Sequence, residues 1–479
     1  MIRHTDLIRS ASLAALSVLV VVASGQAEPV SYFRCDRGVA PDDRQPLPDR
    51  FDSPDQLVWR QELAPGHSTP CISGASIFVT TFAAEQQELA VVALDRATGQ
   101  VRWRRPVPAA AIEPFHRVGS PAASTPACDG ERLYVFFGSY GLLCYSTDGD
   151  LLWSKRMGPF QNEFGAASSP VLVDDKVILN EDHDVDSFLL ALDRTTGKTV
   201  WKVVRDRFTR SYSTPIVWRS EHGEQIIVAG SLQLTAYDAG NGRRLWWVRG
   251  LSRIVDTTPV VADNFIYLAT WTPGGDRSDR IAMGSFAEAA AQYDKDGDAR
   301  ITKRELPAGP VQLRFFRIDL NQDGALDEAE WSRHAQVFEL AQNVAMAVRL
   351  GGEGDVTDTH VQWIHRKGLP TVPSPLVHRG VLYMVKDSGI MTSLDAASGK
   401  LLKRSRVPGR GNYYASPVTG DGKVYVASER GVVTVLRAGG DWQPVSHHDF
   451  GERIMATPVI RDGRIYLRTE QALYCFGKR

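Results

Sequence analysis

The chain has 479 residues, 43% of them apolar and 23% charged, the mix of a soluble globular protein long enough for two or three average domains. Its 55 Lys and Arg balance 56 Asp and Glu. No bulk field is left to draw in nucleic acid or an acidic membrane surface.

Residues 1–27 read as a secretory leader. Arg3, His4 and Arg9 precede an apolar run from Leu13 to Ala23, and Gly25-Gln26-Ala27 supplies the small residues of a cleavage site after Ala27. The run is too short for a membrane anchor, and no later stretch is apolar enough to span a bilayer. No Cys follows the cleavage site to carry a lipid. A periplasmic or secreted protein is expected. Residues 28–55, rich in Pro, Asp and Arg, read as a flexible, loosely packed lead-in.

From residue 56 a repeat takes over. Ala93-Leu94-Asp95-Arg96-Ala97-Thr98-Gly99-Gln100-Val101-Arg102-Trp103 reads as a strand, a tight turn and a returning strand that carries a Trp. Ala191–Trp201 repeats it position for position, and Ala236–Trp246 keeps the Ala, Asp, Gly and Trp. Tyr145–Trp153 is a shortened version, while Ser393–Lys400 keeps the turn with Lys403 in the place of the Trp. A second marker phases the repeats, a hydroxyl residue followed by proline. It occurs at Thr69-Pro70, Thr125-Pro126, Ser169-Pro170, Thr214-Pro215, Thr258-Pro259, Ser374-Pro375, Ser416-Pro417 and Thr457-Pro458. Most markers stand roughly 41 to 56 residues apart, near the period of a propeller blade of four antiparallel strands.

Eight markers predict an all-β, eight-bladed propeller over residues 56–275 and 344–479. Its last unit ends on a third strand, Ala472–Phe476, and the strand around Gln56-Leu57-Val58-Trp59 is available to complete it. Pairing the two ends closes the ring and removes an open sheet edge.

Residues 276–343 interrupt blade five with helical sequence at Ser285–Tyr293, Val311–Ile318 and Glu328–Asn343. Between these lie two acidic loops of EF-hand form. Asp319, Asn321, Asp323, the Ala325 carbonyl and Glu330 stand where a hard cation takes oxygen ligands, with Gly324 at the turn. Asp294, Asp296, Asp298, the Arg300 carbonyl and Glu305 form the partner set, where Ala299 replaces the turning Gly at a cost of about 1 kcal/mol. Ile301 and Leu326 are placed to pair between the loops. Bound calcium is expected in both, in a structural rather than a regulatory role.

Residues just before the proline markers should approach one axial mouth. They include His67, Arg117, Asn162, Glu163, Arg210, Tyr212, Arg253, Asp256, Asn412, Tyr413, Tyr414 and Arg453. The four arginines suggest an anion-friendly funnel; the alternative is a hydrated rim. Asp182-His183-Asp184-Val185-Asp186 reads as solvated turn residues, and His447-His448 carries no chemical signal. Cys71 and Cys128, placed alike in neighbouring repeats, are either a disulfide or two buried thiols.

The repeated Ala-x-Asp-x-x-Thr-Gly-x-x-x-Trp resembles the tryptophan-docking motif of the pyrroloquinoline-quinone (PQQ)-type β-propellers. That family includes quinoprotein alcohol dehydrogenases, which hold PQQ and calcium on the axis, and BamB-like scaffolds of the outer-membrane barrel-assembly machinery. The resemblance implies a structural role for the motif Trp residues. Two departures weigh against the dehydrogenase: no two cysteines are adjacent to form the ring on which PQQ stacks, and those enzymes are usually longer, with an Asp base and Glu/Asn calcium ligands that find no counterpart in this sequence; nor is there a haem-attachment Cys-x-x-Cys-His. The expectation is therefore a calcium-binding propeller that recognises a protein partner or a small ligand on one face, with no catalytic residues assigned. A PQQ-dependent alcohol or sugar oxidoreductase with a divergent site is the alternative, which makes PQQ the disfavoured cofactor.

Overall fold

The computed structural model describes residues 30–205, 209–221, 223–276 and 278–478; the expected leader lies outside them. Eight antiparallel sheets follow one another around an axis as blades one to eight. Blade one spans residues 71–107, blade two 127–156, blade three 171–204 and blade four 216–249. Blade five runs from 260 to 365, blade six from 376 to 406 and blade seven from 418 to 449. Blade eight joins Val459–Arg461, Arg464–Arg468 and Ala472–Gly477 to Leu57–Glu62, with Trp59 opposite Cys475. The two ends of the chain close the ring as expected.

In most blades the first three strands are largely buried, because neighbouring blades cover both their faces. In blade two Arg132–Phe137 and Gly141–Ser146 are almost wholly enclosed, whereas the outer Leu151–Arg156 alternates. The Trp motif joins one blade to the next. Asp95 accepts hydrogen bonds from the Ala97 and Thr98 amides and the Thr98 hydroxyl, which shapes the turn. The indole of the preceding blade then docks on that turn. Trp59, Trp103, Trp153, Trp201 and Trp363 donate to the carbonyls of Arg96, Thr147, Arg194, Ala239 and Ala396 at 2.9–3.1 Å. Lys403 does the same without an indole: its Nζ donates to the Trp442 carbonyl at 2.6 Å and lies 4.6 Å from that ring's centre.

Three features correct or add to the sequence reading. Residues 30–55 are packed rather than loose, because Ala40, Leu47 and Phe51 are apolar anchors among the polar residues and are buried. This strap crosses the mouth formed by the first turn of each blade. Ser31 pairs with Cys128 of blade two, Arg34 donates to Pro375 of blade six at 2.7 Å, and Ala40 donates to Thr419 of blade seven at 2.8 Å. Secondly, of the two readings of Cys71 and Cys128 the disulfide is not formed: both residues are buried, with the Cys71 sulfur 3.6 Å from the Ser31 carbonyl. Thirdly, residues 350–360 of blade five fold back on blade four, where Gly354–Asp355 pairs in parallel with Trp246–Trp247.

The helical insert leaves blade five between Phe265–Thr270 and Val344–Arg349. It contains helices at Phe286–Tyr293 and Glu328–Leu340, with two short helical turns at Pro310–Leu313 and Phe315–Ile318. Ile301–Thr302 pairs with Ala325–Leu326 between the acidic loops. Ile301, Leu306, Phe315, Ile318, Leu326, Trp331 and Phe338 form a small core of its own. A second strand returns to the mouth from which the first sets out, so the insert emerges at the proline-marker mouth, opposite the strap. Among the described residues no helix is long and apolar enough to cross a membrane.

Candidate functional site

The proline markers build the wall of the axis. Pro has no N–H to give, which suits the free edge of an innermost strand. The hydroxyl residue before it is bonded around the ring instead. The amides of Thr69, Thr125 and Ser169 donate to the hydroxyls of Thr125, Ser169 and Thr214, and those of Thr258, Ser374 and Ser416 to Ser374, Ser416 and Thr457, at 2.9–3.1 Å. The hydroxyls thus accept from one neighbour and keep their own protons. All eight of these hydroxyl residues line an axial cavity of about 420 Å³.

The cavity is asymmetric. Phe33 of the strap lines it, and Thr272, Pro273 and Arg317 reach it from blade five and the insert. Of the residues expected at the mouth, His67, Glu163, Tyr212, Arg253, Asp256 and Tyr414 line it. Arg117 is exposed and outside the lining, and so is Asn412. Asn162 is buried and accepts from the Tyr212 hydroxyl, and Tyr413 is buried. Phe33, Thr272, Arg317 and Asp387 were not anticipated. They come from the strap, the insert and a loop inside blade six, none of which the repeat phase places at the mouth.

The four-arginine anion funnel does not form. Arg210 is buried and bonded to Asp184 at 2.5 Å and Glu163 at 2.6 Å. Arg453 is paired with Glu429 at 3.3 Å and Glu470 at 3.9 Å. Arg317 of the insert meets Glu163 from the other side, at 3.0 Å. Arg253 alone among the four lines the cavity, with its Nε on the Pro273 carbonyl at 2.9 Å. Burial, with Arg317 and Arg210 nearby, lowers its pKa to about 10. Burial also pushes the Asp256 carboxyl up to about 7, against the pull of Arg253, and lowers His67 to about 3, which keeps its imidazole neutral.

Of the segment read as solvated turn residues, Asp186 is exposed, but the first three residues are buried instead. Asp182, His183 and Asp184 are 1–3% exposed. Asp182 holds Arg205 through two bonds of 2.6 and 2.8 Å, and Asp184 holds Arg210. His183 stacks on Phe160 at 4.1 Å, and burial lowers its pKa to about 4. The arginines that make burial tolerable stand more than 20 residues further along the chain.

The two acidic loops differ. In the first, carboxylate oxygens of Asp294, Asp296 and Glu305 lie within 4.8 Å of one another. Asp294 is oriented by the amides of Gly297 and Ala299, and Glu305 by those of Lys295 and Thr302. Asp298 accepts from the Arg300 amide at 2.8 Å. Ala299 takes φ +62°, the left-handed turn expected to strain it. In the second loop Asp319 accepts from the amides of Asp323 and Gly324, and Glu330 from those of Leu320 and Asn321. Asp323, however, is turned to the Arg300 side chain and the Asn321 amide group. Among the described residues only the first loop gathers three carboxylates.

The fold has counterparts among solved structures. The chain covers 88% of its own length and 98% of BamB from Moraxella catarrhalis, at 12% identity and a TM-score of 0.52. A computationally designed protein, Ika8, overlays 88% of this chain and 99% of its own at 10% identity and 0.53. A europium-containing methanol dehydrogenase overlays 88% and 93% at 10% identity and 0.52. At such identities these likenesses concern the fold. No curated protein matches the chain. The family model described as outer membrane protein assembly factor BamB matches residues 49–281 and 344–479 and passes over the insert. The chain belongs to this BamB-type family of PQQ-like β-propellers.

Proposed function

We propose that the protein is an extracytoplasmic calcium-binding propeller that recognises a partner or small ligand at the mouth its insert overhangs. The observation that carries this reading is the anchoring of the insert across that mouth. Arg317 shares Glu163 with Arg210, and Gln161, in the same inter-blade loop, donates to the Leu320 carbonyl. Leu320 is the second residue of the second acidic loop. A cation that tightens this loop therefore acts on a segment already fastened to the propeller. Asp294, Asp296, Asp298 and Glu305 with the Arg300 carbonyl would hold calcium in the first loop. Asp319, Asn321, Asp323 and Glu330 with the Ala325 carbonyl would hold it in the second. The family's description as an assembly factor supports the scaffold reading and an exported location.

The cavity lining does not suit PQQ, a multiply charged aromatic carboxylate. Glu163, Asp256 and Asp387 line it alongside Arg253 and Arg317, and neither a cysteine nor a tryptophan offers a stacking surface.

Calorimetric titration of the chelator-stripped protein with calcium is expected to give saturable heat. Glu305→Gln should remove the first-loop share and Glu330→Gln the second. Absent heat, or heat that both substitutions leave intact, overturns the calcium assignment. Glu163→Gln should keep the calcium heat while residues 280–343 become cut faster by trypsin, because the carboxylate between Arg210 and Arg317 is gone. Unchanged cutting would detach the insert from the mouth.

A further inference from the structure

We propose that the blade-five corner of the axial cavity is a recognition site for a small 2-hydroxycarboxylate with an apolar body, an inference that rests on reading this mouth as the recognition face. Three groups with unmet hydrogen-bonding capacity share that corner. Arg253 uses only its Nε within the protein, on Pro273. Its two Nη groups have no partner among the described residues, so the guanidinium can meet a carboxylate side by side. Asp256, three residues on, lines the same cavity with a buried Oδ1 that accepts no hydrogen bond. Thr272, next to Pro273, is 4% exposed, and its hydroxyl is likewise unpartnered. Buried polar groups left without partners are costly, and a ligand that supplies the partners recovers that cost.

The charge count limits the ligand to one negative charge. Arg317, the other cation in the lining, is already engaged by Glu163. Among the described residues no cation pairs with Asp256 or Asp387, and both would repel a second carboxylate. A hydroxyl beside the ligand's carboxylate reaches toward Asp256 while the carboxylate sits on Arg253, and Asp256 accepts from it whether or not it carries a proton. Phe164, Ile254, Val372 and Met455, with Phe33 from the strap, give the rest of the cavity apolar walls. Its volume of about 420 Å³ falls in the range of small-molecule pockets.

Mandelate is the probe, titrated calorimetrically into the calcium-loaded protein beside phenylacetate, which lacks the hydroxyl, and 1-phenyl-1,2-ethanediol, which lacks the charge. Mandelate should bind about tenfold more tightly than the diol and several-fold more tightly than phenylacetate. Arg253→Gln should weaken mandelate at least about tenfold. Arg453→Gln, at the same mouth but outside the lining, should leave it unchanged. Asp256→Ala should erase the preference for mandelate over phenylacetate, a change that a purely structural role does not produce. No mandelate heat at millimolar concentration, equal binding of the diol, or an Arg253→Gln variant that folds and binds like the parent would each overturn the site. If mandelate fails while the calcium response persists, the ligand class falls and the calcium-binding propeller stands.

Discussion

Arg205→Met is expected to lower the unfolding free energy by about 3–5 kcal/mol. The Arg205 and Asp182 side chains are both 0% exposed. The guanidinium makes two bonds to the carboxylate, at 2.6 and 2.8 Å, and one to the Tyr237 hydroxyl. Deleting it strands a buried carboxylate beside the packed strands of blade three. The penalty comes from the orphaned partner, so removing both charges should be far milder. Asp182→Leu combined with Arg205→Met is expected to recover most of the loss. Denaturant titration of the three variants checks this. An Arg205→Met midpoint equal to the parent's would mean that the pair contributes nothing.

The second large effect is steric and has its control in the same blade. Gly399 has φ +70°, and a Cβ there would lie 2.5 Å from Cδ2 of Trp363. Gly380 has φ +74° with nothing within 4 Å of a Cβ. Gly380→Ala therefore carries only the left-handed backbone cost of about 1 kcal/mol. Gly399→Ala adds the displacement of an indole docked on the next blade, a further 1–3 kcal/mol or so, and endangers the 2.9 Å bond from Trp363 to Ala396. The difference in denaturant midpoint between the two variants measures the docking contact. Equal midpoints would remove the Trp motif from the list of forces holding blade to blade.

Much of the ring was legible because its signals are local and repeated. An Asp that folds its own turn, a Gly that leaves room there for the preceding blade's indole, and a Trp that docks in the same way on the following blade's turn lie within eleven residues of sequence. Lys403 shows that the underlying requirement is a side-chain donor reaching the neighbouring turn's carbonyl, which an ammonium also meets. The proline markers gave the phase, but their hydroxyl ring needs eight separated positions brought together. What stayed hidden depends on distant partners. The acidic run at 182–186 looks solvated until Arg205 and Arg210 are placed on it. Arg210 and Arg453 look like free cations until their carboxylates arrive. The strap's Ala40, Leu47 and Phe51 are too sparse to stand out among prolines and charges. The acidic loops were legible as motifs, but not the turn of Asp323 toward Arg300, a contact between loops rather than within one.

The strap and the first strand have a consequence in time. Leu57–Glu62 pairs with Ala472–Gly477, and Phe51 packs on Tyr425, Phe450 and Phe476. The earliest-made part of the propeller thus finds its partners in the latest-made part, with some four hundred residues between them. Until blades seven and eight exist, an unpaired strand and a line of apolar anchors stay uncovered. The nascent chain is then most exposed to wrong partners at its leading end, and final closure is a single late event that seals the ring and one of its mouths together.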